Sequence, residues 1–355
     1  IDADAVLMAS PDLEDYPERE GLKCLAPSDS LPRWRNVSLI YAENAENIAI
    51  GGRGAIDCNG HLFVKEKTDP NWKGMQYERT VEPRKTIARV VIFAGCKNVT
   101  VSDVTMRNQP AGWSYWINDC DFVIFDRVKI LAAVNYPNND GIHINCSRNV
   151  SVSNSFIETG DDAIVIRANS RTINEIKPCE RVVIANCTLR SWCNGIRIGW
   201  TNDGVIRNCT GSNVVMYDTS HGINIEVPKK AGKNDWGCEA SLVENMTFSN
   251  IEMVGITGKP IACSVSPHPS VSSEAIRNIR FNEIHATARK FPQFKAPADR
   301  PFENFTFTNC TFKRIHESEL PDWRRHGAGA GDANCEFILE HCKGFTFTNT
   351  EFESY

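Results

Sequence analysis

The stretch "YPNNDGIHINCSRNVSVSNSFIETGDDAIVIRA", Tyr136 to Ala168, holds two copies of one pattern: Asp140 stands before Gly-Ile-His-Ile, and Asp162 before Ala-Ile-Val-Ile. The copies align without a gap, 22 residues apart, which is about the contour of one turn of a β-solenoid. Two later segments share the form, "NGIRIG" from Asn194 and "HGINIE" from His221. Alternate residues of a strand face opposite sides, so the Ile pairs 142/144, 164/166, 196/198 and 223/225 are expected in the core. Three outward columns follow. The first runs Asp140, Asp162, Asn194, His221; the second His143, Val165, Arg197, Asn224; the third Asn145, Arg167, Gly199, Glu226.

A ten-residue phrase recurs beyond this stretch. It reads "ENIAIGGRGA" from Glu46, "KNVTVSDVTM" from Lys97, "RNVSVSNSFI" from Arg148, "DGVIRNCTGS" from Asp203 and "ENFTFTNCTF" from Glu303, with further copies between and after them. Each copy is a period-2 strand, a polar turn residue and a second short strand. No segment of helical length carries apolar residues at i, i+3, i+4 and i+7, and the Asn-Gly or Asp-Gly hairpin turns of a sandwich or propeller are not systematic. The predicted fold is all-β, a right-handed parallel β-helix of about ten coils forming one domain over 1–355. The opening "IDADAVLMAS" reads like the middle of a strand, so an earlier coil is expected to precede it.

Composition narrows the function. Net charge is −5 and Lys and Arg form no stripe, so no nucleic-acid partner is expected. No apolar run approaches the roughly 18 residues of a membrane span, and no membrane partner is expected. Fourteen cysteines sit largely inside the repeat and read as buried free thiols, which points to a reducing compartment; nine Asn-x-Ser/Thr sequons point the other way. The sequons have a plainer explanation, since each coil asks for Asn before a β-branched strand residue. The proline- and charge-rich segment 11–35, the stretch 65–85 with Trp72 and Tyr77, and the segments from His268 and His326 read as loops. Neither of the last two has a phosphate-loop spacing followed by Lys-Ser/Thr.

Parallel strands stack roughly 4.8 Å apart, so Asp140, Asp162 and the neighbouring Asp161 are expected to crowd together, with at least one pKa raised. Such a set suits glycoside hydrolysis, in which one carboxylic acid protonates the leaving oxygen and another carboxylate activates water. A calcium site on the three aspartates and a purely structural ladder are the competing readings. No cofactor or metal is expected.

These residues resemble glycoside hydrolase family 28, the polygalacturonase-like enzymes. "NNDG" (Asn138 to Gly141) is similar to that family's NTDG, "GDD" (Gly160 to Asp162) matches its acidic pair, and "GRGAIDCNG" from Gly52 is similar to an early glycine-rich segment. The resemblance implies an inverting glycosidase acting on a pectin-type carbohydrate, with Asp161 as general acid and Asp140 and Asp162 holding the attacking water. It also implies an extracellular or periplasmic location, the alternative being a cytoplasmic enzyme for imported oligosaccharides. Two motifs depart from the family. Cys193-Asn194-Gly195 replaces Gly-His-Gly, with His221 in the same column one coil later, and Asn224-Ile225-Glu226 replaces Arg-Ile-Lys, the pair that grips a uronate. Two explanations stay open: an anion site shifted to Arg197 and Arg167, or a neutral sugar recognised by Asn194, Asn224 and Glu226. Asn138, His143 and His221 complete the expected binding set. A uronate lyase or epimerase, a non-catalytic carbohydrate-binding β-helix, and a Cys193–His221 nucleophile are the other classes. The insertion from Lys229 to Glu239, with Trp236, suggests exo action in a closed pocket.

Overall fold

The structure, a computed structural model, describes residues 1–16, 37–67, 77–79, 87–170, 173, 175–200, 203–227, 240–265, 273–320 and 335–354. The loops around Trp72, His268 and His326, most of segment 11–35 and the insertion with Trp236 lie outside the described residues.

The chain winds as a right-handed parallel β-helix. Parallel pairing runs from coil to coil through a sheet of eighteen strands and a sheet of ten. The ten-stranded sheet begins with Ile40–Glu43, passes through Trp113–Asn118, Ile142–Asn145, Ile164–Arg167, Asn194–Ile198 and His221–Val227, and closes with Ile338–Glu340. Its register pairs Ile142 with Ile164, Ile164 with Ile196, and Ile196 with Ile223. The four Ile pairs are all buried in one continuous core, as period-2 alternation dictates. The small residue after each column head is a packing requirement: a Cβ on Gly141 would lie 2.3 Å from the Ala163 carbonyl oxygen, and one on Gly222 would lie 2.5 Å from that of Pro260.

The core changes composition along the axis. Val and Ile columns give way to a stack of Phe248, Phe281, Phe307 and Phe347, with successive centroids 5.6, 4.9 and 4.9 Å apart. Offset stacks of this kind add about 0.5–1.5 kcal/mol per pair to the burial itself.

The turns explain the repeat's asparagines. The second residue of the phrase has positive φ in every coil, as at Asn47, Asn98, Asn149, Asn208, Asn245, Asn278 and Asn304, and so does the seventh, as at Asn154, Asn186, Asn213, Asn250 and Asn309. Asn tolerates the left-handed region better than other residues with a Cβ. Its amide also bonds coil to coil: Asn186 donates to Asn154, Asn213 to Asn186 and Asn250 to Asn213, at 3.1, 3.0 and 2.8 Å. Seven of the nine sequons fall on these two turn columns, which bears out the structural explanation for them.

One repeat assignment is corrected. Glu180 pairs with Arg207, and Arg207 with Glu244, so the phrase read from Asp203 begins at Arg207 instead. Asp203 belongs to the preceding loop and is fully buried there. The glycine-rich segment from Gly52 is structural: Asp57 accepts bonds from Arg107 Nε at 2.8 Å and Asn108 Nδ2 at 2.9 Å. Val64–Glu66 and Tyr77–Arg79 form an antiparallel hairpin, and the Tyr77 ring packs on Tyr136 at 4.9 Å. The twelve described cysteines are free thiols, nine of them buried. No described helix is long and apolar enough to cross a membrane.

Candidate active site

The outward columns meet on the face of the ten-stranded sheet. Register sets His143 beside Val165, Val165 beside Arg197, and Arg197 beside Asn224. It also sets Asn145 beside Arg167 and Asn194 beside His221. The Gly141 amide bonds to the Asp162 carbonyl at 2.9 Å, and that of Ala163 to the Asn194 carbonyl at 2.9 Å, which aligns Asp140, Asp162 and Asn194. All three predicted columns are present.

Backbone anchors fix the acidic turn. Asn139, fully buried, accepts the Gly160 N–H at 2.6 Å and donates to the Ala133 carbonyl at 2.8 Å. The Asp161 carbonyl accepts hydroxyl bonds from Thr159 at 2.5 Å and Ser191 at 2.6 Å. Asn138, with positive φ, donates to the Asp161 carboxylate at 3.2 Å. The two asparagines of "NNDG" therefore divide the work: Asn139 holds the turn, and Asn138 holds the side chain.

The carboxylates are crowded and unequal. A carboxylate oxygen of Asp161, one of Asp162 and the Cys193 sulfur lie within 4.8 Å of one another. Burial, then the neighbouring Asp162, push Asp161 up to about 7 against the pull of Arg197 and a thiol bond from Cys193. Asp140 is pushed well above its ordinary value by burial and then by Asp161 and Asp162, with Arg89 opposing. Its Oδ1 accepts no hydrogen bond among the described residues. Asp162 is instead surrounded by donors. Asn194 Nδ2 donates to it, Asn224 Nδ2 donates to Asn194 Oδ1 at 3.0 Å, and Arg197 Nη1 stands 3.7 Å away. Three aspartates on two motifs thus stand in two kinds of environment, Asp140 and Asp161 raised by burial and neighbouring charge and Asp162 held by donors.

The basic groups are committed to protein partners. Arg197 donates to Glu226 at 3.0 Å and to the Gly199 carbonyl at 3.2 Å, and its guanidinium lies 3.9 Å from the Trp200 ring centroid. Burial acts to lower its pKa, and Asp162, Cys193, Glu226 and Asp161 together outweigh that effect and raise it. Arg167 donates to the fully buried Asp203 at 2.7 Å, and Asp203 also accepts the N–H groups of Ala168 and Trp200. His143 is buried, with its Nδ1 3.4 Å from Asp140 Oδ2. Burial and then Arg167, Arg89 and Arg197 hold it well below the ordinary imidazole value, so it is neutral. The His221 ring lies over Gly258, where a Cβ would be 3.0 Å from Nε2. The Cys193 thiol is pushed well above its ordinary pKa by burial and then by Asp162 and Asp161, a poor environment for a nucleophile.

Sequence reasoning missed Arg89, Trp113, Asn139 and Asp203. Trp113 was within reach of the column argument, because Tyr115 pairs with Ile142 and extends the columns one coil upstream.

The family model described as glycosyl hydrolases family 28 matches residues 32–313. The chain belongs to this family. It is 29% identical over 272 residues to a polygalacturonase of Persea americana, covering 71% of this chain and 52% of that protein. It is 25% identical to a probable polygalacturonase of Vitis vinifera, covering 90% of this chain and 63% of that one. The chain spans about half to two thirds of the length of such relatives. An exopolygalacturonase from Thermotoga maritima shares the fold, with a TM-score of 0.69, 16% identity, and coverage of 99% of this chain and 79% of that one. Within the family 28 chain, the NNDG and GDD segments are the ones that carry the carboxylate cluster.

Proposed function

We propose that this family 28 chain is an inverting glycoside hydrolase for a pectic carbohydrate, in which Asp161 is the general acid and Asp140 and Asp162 hold the attacking water. The observation that carries the reading is the asymmetry of the acidic pair. Asp161, pushed to about 7 by burial and Asp162, keeps a proton at near-neutral pH and can deliver it to a leaving oxygen. Asp162, fixed by Asn194 and facing Arg197, has the donors a water-binding carboxylate needs. Inversion requires the water to be held on the far face of the sugar; the nearest carboxylate oxygens of Asp161 and Asp162 lie within 4.8 Å, shorter than the about 6.5–9.5 Å usual for an inverting pair, so inversion rests on the family membership and the anomeric product tests it.

The sugar next to Arg197 is uncharged in this reading. Arg197 is already balanced by Glu226 and Asp162, and Arg167 by Asp203; a uronate carboxylate placed there would compete with carboxylates of the protein itself. Neutral hydroxyls suit the amides of Asn194 and Asn224 and the acceptor Glu226. A pectic substrate implies a location outside the cytoplasm, where burial would protect nine of the twelve described thiols from oxidation.

Proton NMR of the anomeric region during turnover tests both parts, using galacturonide oligomers, neutral or rhamnose-containing pectic fragments, and Asp161→Asn as control. The expected result is turnover of fragments bearing a neutral sugar, with an inverted first product and no turnover in the variant. Cleavage of pure galacturonides would overturn the neutral subsite. An unsaturated, ultraviolet-absorbing product would make the protein a lyase, and binding without turnover would make it a carbohydrate-binding module.

A further inference from the structure

A buried stack links a residue outside the acidic motifs to Asp140. The Arg89 guanidinium lies 3.3 Å from the Trp113 ring centroid. The His143 ring lies 3.7 Å from Trp113, at 17° between planes. Two planar groups this close to one ring centroid cannot share a face, so Trp113 is sandwiched between Arg89 and His143. Register explains the first contact, since Arg89 pairs directly with Trp113 on the adjacent coil; the second is diagonal, because the register partner of His143 is Trp116, three residues beyond Trp113. His143 Nδ1 then stands 3.4 Å from Asp140 Oδ2. Arg89 and His143 are 4% and 3% exposed, so the charge of Arg89 acts through a medium of low dielectric constant.

We propose that Arg89 is a positioning residue for the reaction, acting on Asp140 by opposing the charge of its two aspartate neighbours and by holding the His143 ring in place through the Trp113 sandwich. The proposal rests on the glycosidase reading, in which Asp140 helps to hold the attacking water. The groups facing Asp140 are His143 from its own strand, Asp161 and Asp162 from the next coil, and Arg89 from the preceding coils. Of the charged groups, the two aspartates favour the protonated acid, and Arg89 is the cation that opposes them. The same cation, with Arg167 and Arg197, keeps a proton off His143. A neutral ring clamped on one face is a fixed dipole beside the carboxyl, and its orientation does not change as the pH varies.

The test compares Arg89→Gln with Arg89→Lys in two measurements. The first is the pH profile of kcat/KM. Arg89→Gln is expected to move the acidic limb up by about one pH unit or more, since an opposite charge ordinarily lowers a carboxyl by that much; Arg89→Lys should restore it to near the wild-type position. The second is carbon NMR of protein labelled at the aspartate carboxyls, with the Asp140 signal assigned by its loss in Asp140→Asn, and it needs no substrate. An Asp140 titration that rises in Arg89→Gln supports the proposal even if no tested sugar is turned over, which separates it from failure of the glycosidase reading. Reduced activity with an unmoved limb and an unmoved Asp140 titration would overturn it, leaving Arg89 a packing residue. If Arg89→Gln does not fold, Arg89→Lys decides: an Asp140 titration displaced as far as about one unit despite the retained charge overturns the proposal, and an unmoved one supports it.

Discussion

Two columns of polar side chains climb this solenoid on the same repeat, and they respond to stacking in opposite ways. At the turns, Asn250, Asn213, Asn186 and Asn154 pass a hydrogen bond from coil to coil. An amide has both donor and acceptor, so a stack of amides satisfies itself. On the ten-stranded sheet, Asp140 and Asp162 occupy successive coils with Asp161 beside them, and stacked carboxylates have no donor to offer one another. Burial, and then repulsion from neighbouring aspartates, raise Asp140 and Asp161. The same geometry that holds the fold together in one column crowds like charges in the other, and in the proposed reaction that crowding keeps a proton available.

Converting the second column into the first should break function most. Asp161→Asn replaces the proposed general acid by an amide of equal size, and turnover is expected to fall by about 10²–10⁴-fold with the fold retained; steady-state rates and far-ultraviolet circular dichroism check both halves. In the wild type, kcat/KM should fall as pH rises through about 7, the value to which burial and Asp162 push this acid. An activity that rises through that pH would mean Asp161 works as a base.

A smaller loss is expected at the junction of the two kinds of column. Asn194 is an amide stacked on a carboxylate: it donates to Asp162 and accepts from Asn224. Asn194→Ala removes a hydrogen bond to a charged group, worth about 1.5–3 kcal/mol. The expected effect is roughly 10–100-fold on kcat/KM, and Asn224→Ala should show less, because it touches Asp162 only through Asn194. Equal losses from the two would show that the relay acts as a unit.

The difference between the columns was partly legible in the sequence. The Ile-x-Ile alternation placed Asp140, Asp162, Asn194 and His221 in one line because a period of 2 leaves no other choice, and the register has them so. The turn asparagines were legible as a repeat, though not as a hydrogen-bonded ladder. What failed was of another kind. Asp203 passed for the start of a phrase because "DGVI" mimics a strand opening, while its actual partner, Arg167, is 36 residues away and leaves no periodic trace. Arg89 and Trp113 lie in coils whose strands, Arg89–Ala94 and Trp113–Asn118, lack the acid-small-Ile motif. Arg89 and Trp113 stand in one column, and the contact of Trp113 with His143 crosses to the neighbouring one. Alternation shows which side a residue faces; it does not show what it leans against.

Stability offers a gentler way to sharpen the contrast. A carboxyl raised in the folded protein above its unfolded value of about 3.9 binds a proton that the unfolded chain has already released. The contribution of Asp161 is therefore fully present below about pH 4 and is lost as pH rises through about 7. Asp161→Asn should raise Tm relative to wild type at about pH 8, by on the order of 2 °C, and the gap should close towards about pH 4. A variant less stable than wild type at high pH would show that the cluster is not under electrostatic tension.

The smallest effect belongs to the self-satisfied column, and it can be divided. Asn213 has a φ of 54° and bonds both Asn186 and Asn250. Asn213→Gly keeps a backbone that accepts this φ and removes only the ladder bonds, costing about 1 kcal/mol. Asn213→Ala removes the same bonds and adds the left-handed penalty of a Cβ, about 1–2 kcal/mol more. Urea unfolding of the two variants measures the difference, and turnover should stay at the wild-type level in both. If Gly costs as much as Ala, the amide ladder carries the turn and backbone tolerance matters little. If Gly costs almost nothing, asparagine recurs at these turns for its backbone alone, and the ladder is a by-product of stacking residues chosen for their φ.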